Sequence, residues 1–290
     1  MPFPKRDMIR IVTDSTADVP EEFVRALDIV VVPVHVIFGT RSYDDGVNLS
    51  REEFYARLIT ADPLPTSSSP SAGEFEVAYR RLRDEGADAV VSVHVAATLS
   101  AVQNAAHMGA QAVPGLEVAI VDSGQVSMGL GWQVVEAARA ARAGKSVGEI
   151  LDVAARVRQQ VRLFAALDTL EYVRRSGRVG WATAAIGQLL KIKPIVEVRD
   201  GAVLSVDRVR TRAHSLARLK ELVAEQGALR SLIVLHTRAR DAAQTLADEF
   251  RTLYSSLSDP ITTAEATTAI GTYVGPNGLG VACVVDERQK

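Results

Sequence analysis

The sequence predicts an α/β protein of two domains, a parallel α/β layer followed by a mixed α+β layer. In the first half, apolar β-rich runs alternate with amphipathic helical segments, an order typical of parallel sheets covered by helices. In the second half, Asp200-Gly201 separates two β-rich runs, which is a strong signal for an antiparallel hairpin. The pattern changes near residue 158, so we expect domains at 1–157 and 158–290 with a ligand cleft between them.

The first domain has clear local signals for each element. Runs of β-branched and apolar residues predict strands at 9–14, 29–38, 88–95 and 116–121. Apolar residues at helical spacing predict helices at 20–27, 50–59, 71–84, 98–110, 127–143 and 147–160. Ser50-x-x-Glu53 has the capping-box pattern, and Thr98 or Ser100 is expected to cap its helix. The segment 41–46 is rich in turn residues and is predicted to be a turn.

The second domain follows a different order. Strands are predicted at 163–167, 192–198, 202–209, 232–235 and 280–285, and helices at 211–225 and 241–253. The segment from Gly275 to Gly280 contains a Gly-Pro pair and predicts a rigid turn before the last strand.

The composition limits which classes of function the chain can have. The chain has 290 residues, 47% of them hydrophobic but only 5% aromatic, so the core is built from Ala, Val, Leu and Ile. The net charge of −2 argues against nucleic acid as a partner, because phosphate binding needs a basic excess or patch. The single Cys283 excludes an internal disulfide framework and lies in an apolar run, so we expect a buried, inert thiol.

Location is predicted from the absence of targeting signals. Residues 1–6 carry no apolar signal core, and no apolar run is long enough to cross a bilayer. We therefore expect a cytoplasmic monomer without a membrane span, making at most transient contact with a membrane. The five histidines show no metal-ligand spacing, and we expect neither a metal nor a cofactor.

A serine-rich loop, Ser67-Ser68-Ser69-Pro70-Ser71, is the most informative candidate site. It leads into an amphipathic helix and so offers hydroxyls and free backbone N–H groups in one place. Such a loop can hold a carboxylate or a phosphate. The residues alone leave open the alternative that these serines merely cap the helix and form turns.

Other motifs restrict the chemistry further. No phosphate-gripping loop with a lysine and no Gly-x-Ser-x-Gly elbow is present, so neither an ATP-dependent enzyme nor an α/β-hydrolase is favoured. Gly129-Leu130-Gly131 lies in a helical pattern and favours helix packing over dinucleotide binding. A basic cluster surrounds Gly177, and one of its arginines could pair with an anion bidentately. Asp14-Ser15-Thr16 follows the first strand, where ligands bind in α/β sheets or where a simple turn forms.

Several blocks in order along the chain resemble the DegV family of bacterial fatty-acid-binding proteins. The serine-rich loop is similar to the family's Thr-Ser-Gln-Pro-Ser loop. The remaining blocks are Ile11-Val12-Thr13-Asp14-Ser15-Thr16, Leu99-Ser100-Ala101, Val121-Asp122-Ser123 with Gly129 and Gly131 downstream, Leu167-Asp168-Thr169-Leu170-Glu171-Tyr172, Ser176-Gly177-Arg178, Lys193-Pro194-Ile195 and Gly275-Pro276. Each block alone is weak, whereas the ordered set is specific and covers essentially the whole chain.

The resemblance implies a two-domain fold that encloses one long-chain fatty acid, such as palmitate, in an interdomain tunnel. In that family the carboxylate lies near the Ser/Thr loop, a strand-end serine and a histidine that precedes the Gly-Pro turn. Several members present the acid to a separate kinase, which forms an acyl phosphate for phospholipid metabolism. Carried onto this chain, the resemblance implies a ligand site at Ser67, Ser68, His94, Ala96, Ala97, Ser100, Arg178 and Tyr273.

The chain departs from the family pattern in its head-group residues. Ser67 stands where the family has Thr, which is a conservative change. Ala96 replaces the strand-end serine, and Tyr273 replaces the histidine, so two polar groups change. Tyr273 still offers a phenolic donor. His94 would share a face with Ala96 on an extended strand and could supply some of the lost polarity, or it could be packed elsewhere.

We therefore expect a non-catalytic carrier that binds a fatty acid and hands it to a partner kinase. Two alternatives remain open from the sequence. One is an intrinsic phosphotransferase or hydrolase acting at Asp14 and Ser67. The other is a DegV-like carrier that is retuned to another amphiphile by Ala96 and Tyr273.

Overall fold

The structure is a computed structural model that describes residues 8–184, 192–257 and 259–287. The interpretation of residues 1–6 therefore falls outside the described residues. The strands are β1 (Ile9–Asp14), β2 (Val30–Val32), β3 (His35–Phe38), β4 (Arg41–Asp44), β5 (Thr66–Ser68), β6 (Ala89–His94), β7 (Glu117–Asp122), β8 (Val161–Ala166), β9 (Lys193–Arg199), β10 (Ala202–Val209), β11 (Leu229–His236), β12 (Thr262–Glu265) and β13 (Leu279–Val285). The helices are α1 (Glu21–Leu27), α2 (Arg51–Leu58), α3 (Ala72–Asp84), α4 (Val102–Gln111), α5 (Ser127–Arg142), α6 (Val147–Gln160), α7 (Glu171–Ser176), α8 (Gly180–Ala184), α9 (Arg212–Ala224), α10 (Arg240–Leu253) and α11 (Thr268–Val274).

The chain divides into two compact units, and the division differs from the expected domains in one segment. The first unit combines the chain up to Val34 with Ser69–Gln159, and the second combines His35–Ser68 with the chain from Gln160 onward. The domain bounds 1–157 and 158–290 stay a prediction, and the units change at Gln159–Gln160. The excursion 35–68, which lies within the first expected domain in sequence, clusters with the second unit.

A four-stranded parallel sheet forms the centre of the first unit. Its strand order is β2-β1-β6-β7, and β1 pairs in parallel with both β2 and β6. Ile11, Val12, Val90 and Val91 are buried, which agrees with the continuous apolar runs typical of strands in parallel sheets. The parallel α/β layer predicted for the first half is confirmed.

A six-stranded mixed sheet forms the centre of the second unit. Its order is β10-β9-β8-β13-β11-β12, with only the β11–β12 pair parallel. β9 and β10 form the predicted hairpin, and Asp200 and Gly201 at its tip adopt φ values of 47° and 75°. Positive φ at both central residues matches the twist of the flanking strands. The mixed layer predicted for the second half is therefore also confirmed.

A single strand predicted at 29–38 is wrong, because the segment forms two strands in different sheets. β2 pairs with β1 in the first unit, whereas β3 lies at the centre of the separate antiparallel sheet β4-β3-β5. The break falls at Pro33, which has no backbone N–H to donate to a sheet and restricts the residue before it. The apolar β-branched run conceals this change of partner.

Two further local predictions need correction. The predicted turn at 41–46 is largely strand β4, and the serine-rich loop begins with strand β5, because β3 recruits both as antiparallel partners. Neither Thr98 nor Ser100 caps α4, whose N-cap is Ala101 without a side-chain bond. The cap of α2 is as predicted, because Ser50 accepts from the Glu53 N–H. Ser71 forms a complete capping box with Glu74 at the start of α3, which is the capping alternative left open for this serine.

The remaining sequence interpretations of buried groups agree with the structure. Cys283 is buried in β13, and burial raises the pKa of its thiol to about 12, so the thiolate is strongly disfavoured. Gly131 faces the Ala17 carbonyl oxygen at a position where an added Cβ would lie 2.7 Å from it, which is a helix-packing role. Among the described residues, no helix is both long enough and apolar enough to span a bilayer.

Gly109 tests the close packing of α3 on α4. A Cβ at this position would lie 2.6 Å from the Phe75 Cβ and 2.7 Å from the Ala72 carbonyl oxygen, and backbone cannot move aside cheaply. We expect Gly109→Ala to lower the free energy of unfolding by about 1–3 kcal/mol, the usual cost of overpacking. Chemical denaturation followed by far-UV circular dichroism measures the change.

Gly148→Ala is the matched control. Gly148 lies in α6 of the same unit and has no atom within 4 Å of an added Cβ. Ala should therefore not lower the free energy of unfolding and should raise it by less than the value for a helix interior, about 0.5–1 kcal/mol, because Gly148 lies in the first turn of α6. Equal stabilisation by both substitutions would contradict the packing at Gly109.

Candidate functional site

Three of the predicted site residues come together in the second unit. The hydroxyl oxygens of Ser67 and Tyr273 are hydrogen-bonded to each other, and the Arg178 guanidinium carbon lies 5.6 Å from the centroid of the Tyr273 ring. We call Ser67, Tyr273 and Arg178 the hydroxyl–arginine cluster. Ser67 and Tyr273 are 206 positions apart in the sequence, so folding brings the cluster together.

Strand β5 orients Ser67. In this strand Ser67 pairs with Val36 of β3, and the Val36 side chain is fully buried. Because successive strand residues point to opposite faces, Ser67 faces away from Thr66 and Ser68. Ser67 is half-buried, whereas both neighbours are exposed. The strand therefore presents Ser67 to Tyr273, and it places the predicted ligand residue Ser68 on the other face.

Helix α11 orients Tyr273 and is anchored at its first turn. Asp45, which is 3% exposed, accepts hydrogen bonds from the Thr268 backbone N–H at 3.0 Å and from the Thr268 hydroxyl at 2.7 Å. A carboxylate at a helix N-terminus is stabilised by the helix dipole and satisfies an otherwise unpaired donor. Further along α11, Gly271 packs so closely on α2 that an added Cβ would lie 2.7 Å from Phe54 and from Tyr55.

The turn after α11 and helix α7 bring Arg178 to the cluster. Gly275 has a φ of 72° and lies against the Tyr172 ring, where a side chain would clash. Tyr172 belongs to α7, which ends at Gly177 in the left-handed conformation. Arg178 follows at once and donates to the Ser176 carbonyl oxygen at 2.8 Å. The glycines at both turns are thus required by backbone conformation.

The charge of the cluster suits an anion. Arg178 is exposed, and no carboxylate among the described residues forms an ion pair with it. A hydroxyl pair beside an unpaired guanidinium offers hydrogen-bond donors and a positive charge to one carboxylate. These three side chains offer hydroxyls and a guanidinium, which are groups that can hold an oxyanion.

The first unit contains another group of predicted residues. Ser69 and Ser100 lie with their hydroxyl oxygens 3.2 Å apart. The backbone N–H groups of Leu99 and Ser100 both donate to the Ala96 carbonyl oxygen, at 2.9 Å and 3.2 Å. Ala96 is buried and Ala97 is exposed, with the Ala97 N–H 3.4 Å from Asp122. The loop after β6 therefore positions Ser100 through its own backbone turn.

His94 lies in a buried chain of hydrogen bonds. Its Nδ1 is 3.0 Å from Asp14 Oδ2, and its Nε2 is 2.7 Å from Ser92 Oγ. Ser92 in turn lies 2.9 Å from the Tyr79 hydroxyl, and burial raises the pKa of Tyr79. All four side chains are fully buried. Both ring nitrogens of His94 thus contact protein atoms, and its place in the ligand site stays a prediction.

Asp14 has a structural role that the sequence left open. Besides His94, its carboxylate accepts from the Thr16 N–H at 3.1 Å and the Val95 N–H at 3.1 Å. It therefore caps the turn after β1 and ties β1 to β6.

The sequence reasoning missed Asp45, Thr268 and Tyr172, which hold the hydroxyl–arginine cluster in place. A helix start at Thr267-Thr268 was the available signal, but nothing in the sequence pairs it with Asp45.

Comparison with known proteins identifies the family. Residues 8–286 match the family model described as "Uncharacterised protein, DegV family". A DegV domain-containing protein of Streptomyces coelicolor is 36% identical over 282 residues, covering 97% of this chain and 99% of that protein.

Solved structures agree with this result. A DegV family protein of Thermus thermophilus, described for its fatty-acid binding, is 30% identical with a TM-score of 0.85, and the match covers 96% of this chain and 100% of that one. DegV of Bacillus subtilis, described as a fatty acid binding protein, is 28% identical with a TM-score of 0.85, covering 96% and 99% of the two chains. The chain described here belongs to the DegV family.

Proposed function

We propose that this protein binds a long-chain fatty acid and holds its carboxylate at the hydroxyl–arginine cluster. The observation that carries the proposal is the assembly of Ser67, Tyr273 and an unpaired Arg178 in one place. The fatty-acid binding described for the relatives from Thermus thermophilus and Bacillus subtilis supports it.

Hydrogen-bond counting explains how the cluster recognises a carboxylate. Ser67 and Tyr273 carry one hydroxyl hydrogen each, and one of the two is used in their mutual bond. The other hydrogen remains for an external acceptor. The Arg178 guanidinium adds charge, but because it is exposed its ion pair contributes only about 0.2–1 kcal/mol. The hydroxyl pair therefore sets the geometry and Arg178 sets the preference for an anion.

The alkyl chain supplies most of the affinity. Burying a sixteen-carbon tail stabilises the complex by at most about 12 kcal/mol, at about 0.8 kcal/mol per CH₂ and before the costs of association. An unpaired buried carboxylate would offset a large part of this, which is why the head group needs donors. The tunnel expected to hold the tail, and the contributions of Ala96, Ala97 and Ser100, remain proposals.

A separate kinase would act on the bound carboxylate. This step rests on the family resemblance of the sequence blocks. Incubation with a fatty-acid kinase and ATP, with the acyl phosphate trapped by hydroxylamine, tests it.

The cytoplasmic location and the monomeric state also stay predictions.

An intrinsic phosphotransferase or hydrolase at Asp14 and Ser67 stays a weaker alternative, and the structure adds a second arrangement for hydrolysis, the Asp14–His94–Ser92 chain. The order of groups resembles a catalytic triad, but Ser92 is fully buried and its hydroxyl is engaged by Tyr79. A nucleophile must reach its substrate, and this oxygen does not meet solvent. The arrangement supports a role in joining β1 to β6 and α3.

The first prediction is that the protein carries one fatty acid when it is purified. Native mass spectrometry of the protein as expressed should show one added mass of a long-chain acid, released by denaturation and identified by lipid extraction. Delipidated protein should bind palmitate and oleate again. Recovery of no lipid, together with no binding of either acid, would overturn the proposed function.

Ser67→Ala tests the head-group contact. The substitution should weaken binding of palmitate by about 1.5–3 kcal/mol, the worth of a hydrogen bond to a charged group, and should affect methyl palmitate much less. Isothermal titration of both ligands measures the difference.

Ser71→Ala is the control for this measurement. Ser71 caps α3, so its loss should cost about 1 kcal/mol of stability without changing the preference for acid over ester. If Ser67→Ala weakens acid and ester equally, the contact with the carboxylate is disproved.

Substitutions of Tyr273 test the departure from the family. Tyr273→Phe removes the partner of Ser67 and should weaken palmitate binding by about 0.5–1.5 kcal/mol. Tyr273→His introduces a group that gains positive charge as the pH falls through about 6.5. Palmitate affinity of that variant should therefore rise between pH 8 and pH 6, while the parent changes less. Unchanged affinity in Tyr273→Phe, and no added pH dependence in Tyr273→His, would place the carboxylate elsewhere.

A further inference from the structure

A second polar cleft lies in the second unit, outside the hydroxyl–arginine cluster. It has a volume of about 710 Å³, which is the size of a small-molecule pocket. It forms where β8, β11 and β12 end, because Ala166 and His236 both pair with Leu279 and His236 also pairs with Glu265. Ligands of open α/β sheets bind outside the carboxyl ends of strands.

Three arginines line the cleft, and two of them lack a carboxylate partner. Arg240 has no hydrogen bond or ion pair within the described ranges of the chain. Arg212 donates to the Asn277 backbone carbonyl, and burial lowers its pKa, with Asp168 opposing that shift. Arg238 lies 3.3 Å from Glu52. The half-buried Arg212 thus has a neutral hydrogen-bond acceptor and no ion pair, and the charge of Asp168 offsets only part of the cost of its burial.

Most of the carboxylates that line the cleft are already engaged. Asp168 forms an ion pair with Lys193, and Glu52 pairs with Arg238. Glu265 accepts from the Arg238 backbone N–H at 3.3 Å. Asp241 lies in the first turn of α10, and its carboxylate has no ion pair among the described residues. Arg212 and Arg240 are therefore the cleft arginines without an ion pair among the described residues, and Asp241 and Glu265 are the cleft carboxylates without one.

His236 provides an independent sign of a ligand. It is the last residue of β11, is 4% exposed and lines the cleft. Its buried Nδ1 has no hydrogen-bond partner in the part of the chain that the structure describes. A buried polar atom without a partner costs free energy, and such atoms are rare in native proteins.

The start of α10 adds backbone donors to the same cleft. This helix has 14 residues, and its N-cap is Ala239, which has no side-chain hydrogen bond to the first turn. Arg238, before it, adopts a positive φ of 55°. Uncapped N–H groups at a helix N-terminus favour an anion, since the dipole is positive there.

We propose that this cleft binds the phosphate group of a small phosphorylated molecule. Arg212, Arg240, the His236 imidazole and the first turn of α10 would each meet a phosphate oxygen. A phosphate monoester offers three acceptor oxygens, whereas a carboxylate offers two, so the larger number of donors selects the phosphate. The remaining volume accepts the body of the molecule, beside Asp241 and Glu265.

Isothermal titration with inorganic phosphate, phenyl phosphate and acetate tests the site, at constant ionic strength because surface attraction is screened by salt. Phenyl phosphate should bind more tightly than inorganic phosphate, and acetate should not compete. Arg240→Gln should weaken phenyl phosphate binding about tenfold or more, the effect of losing a hydrogen bond to a charged group. His236→Phe should weaken it too, while its thermal unfolding stays near that of the parent because Nδ1 makes no bond to lose.

Arg156→Gln is the matched control for the loss of one positive charge. Arg156 is exposed in the first unit, on α6. It should leave phenyl phosphate binding unchanged, and all three variants should keep the parent's affinity for palmitate. The proposal is overturned if the parent binds neither phosphate, or if Arg156→Gln weakens binding as much as Arg240→Gln. Because palmitate binding is measured separately, failure here is distinguishable from failure of the proposed function.

Discussion

The buried carboxylate of Asp45 is the interaction on which the hydroxyl–arginine cluster depends. It accepts two hydrogen bonds from Thr268 and so fixes the first turn of α11 against the chain excursion 35–68. The same excursion supplies β5, which carries Ser67, while α11 carries Tyr273. One carboxylate therefore sets the relative position of two side chains from distant parts of the sequence. Loss of the Asp45 carboxylate would leave the first turn of α11 without an acceptor for the Thr268 N–H. It would also remove the contact that holds α11, with Tyr273, against the segment that carries Ser67.

Asp14 has the corresponding role in the first unit. Its carboxylate joins the turn after β1 to His94 and Val95 at the end of β6, entirely away from solvent. A buried, fully bonded polar network is specific because every member needs its partner. The polar residues that follow β1 therefore belong to the scaffold, because they hold β1 and β6 together. Polarity at a strand end is not by itself evidence of a ligand contact.

The sequence predicted the two larger sheets and the starts of α2 and α3, because these depend on local chemistry, but it missed the sheet β4-β3-β5 and the cap of α4. The Asp200-Gly201 hairpin and the caps Ser50 and Ser71 are decided by the residues themselves. The strand partners of segment 35–68 were not predictable, since an apolar run such as 29–38 says nothing about which sheet receives each half. For the same reason, the sequence indicated Ser67 and Tyr273 separately, but it could not reveal their mutual hydrogen bond. The sequence also could not assign the partners of His94, because a histidine on a buried strand has the same pattern whether its partner is a ligand or Asp14.

One edge of the mixed sheet organises both polar regions of the second unit. From the end of β8 the chain leads through Asp168 to α7 and Arg178, and from the end of β12 it leads to α11 and Tyr273. Between them, β11 ends at His236 and is followed by the uncapped start of α10. The same edge therefore combines a hydroxyl pair with one exposed cation and a cleft with several guanidiniums. The first combination suits a carboxylate on a long apolar chain, where burial of the tail dominates the affinity. The second suits a compact anion, whose affinity must come from charge and hydrogen bonds, because it has little apolar surface to bury.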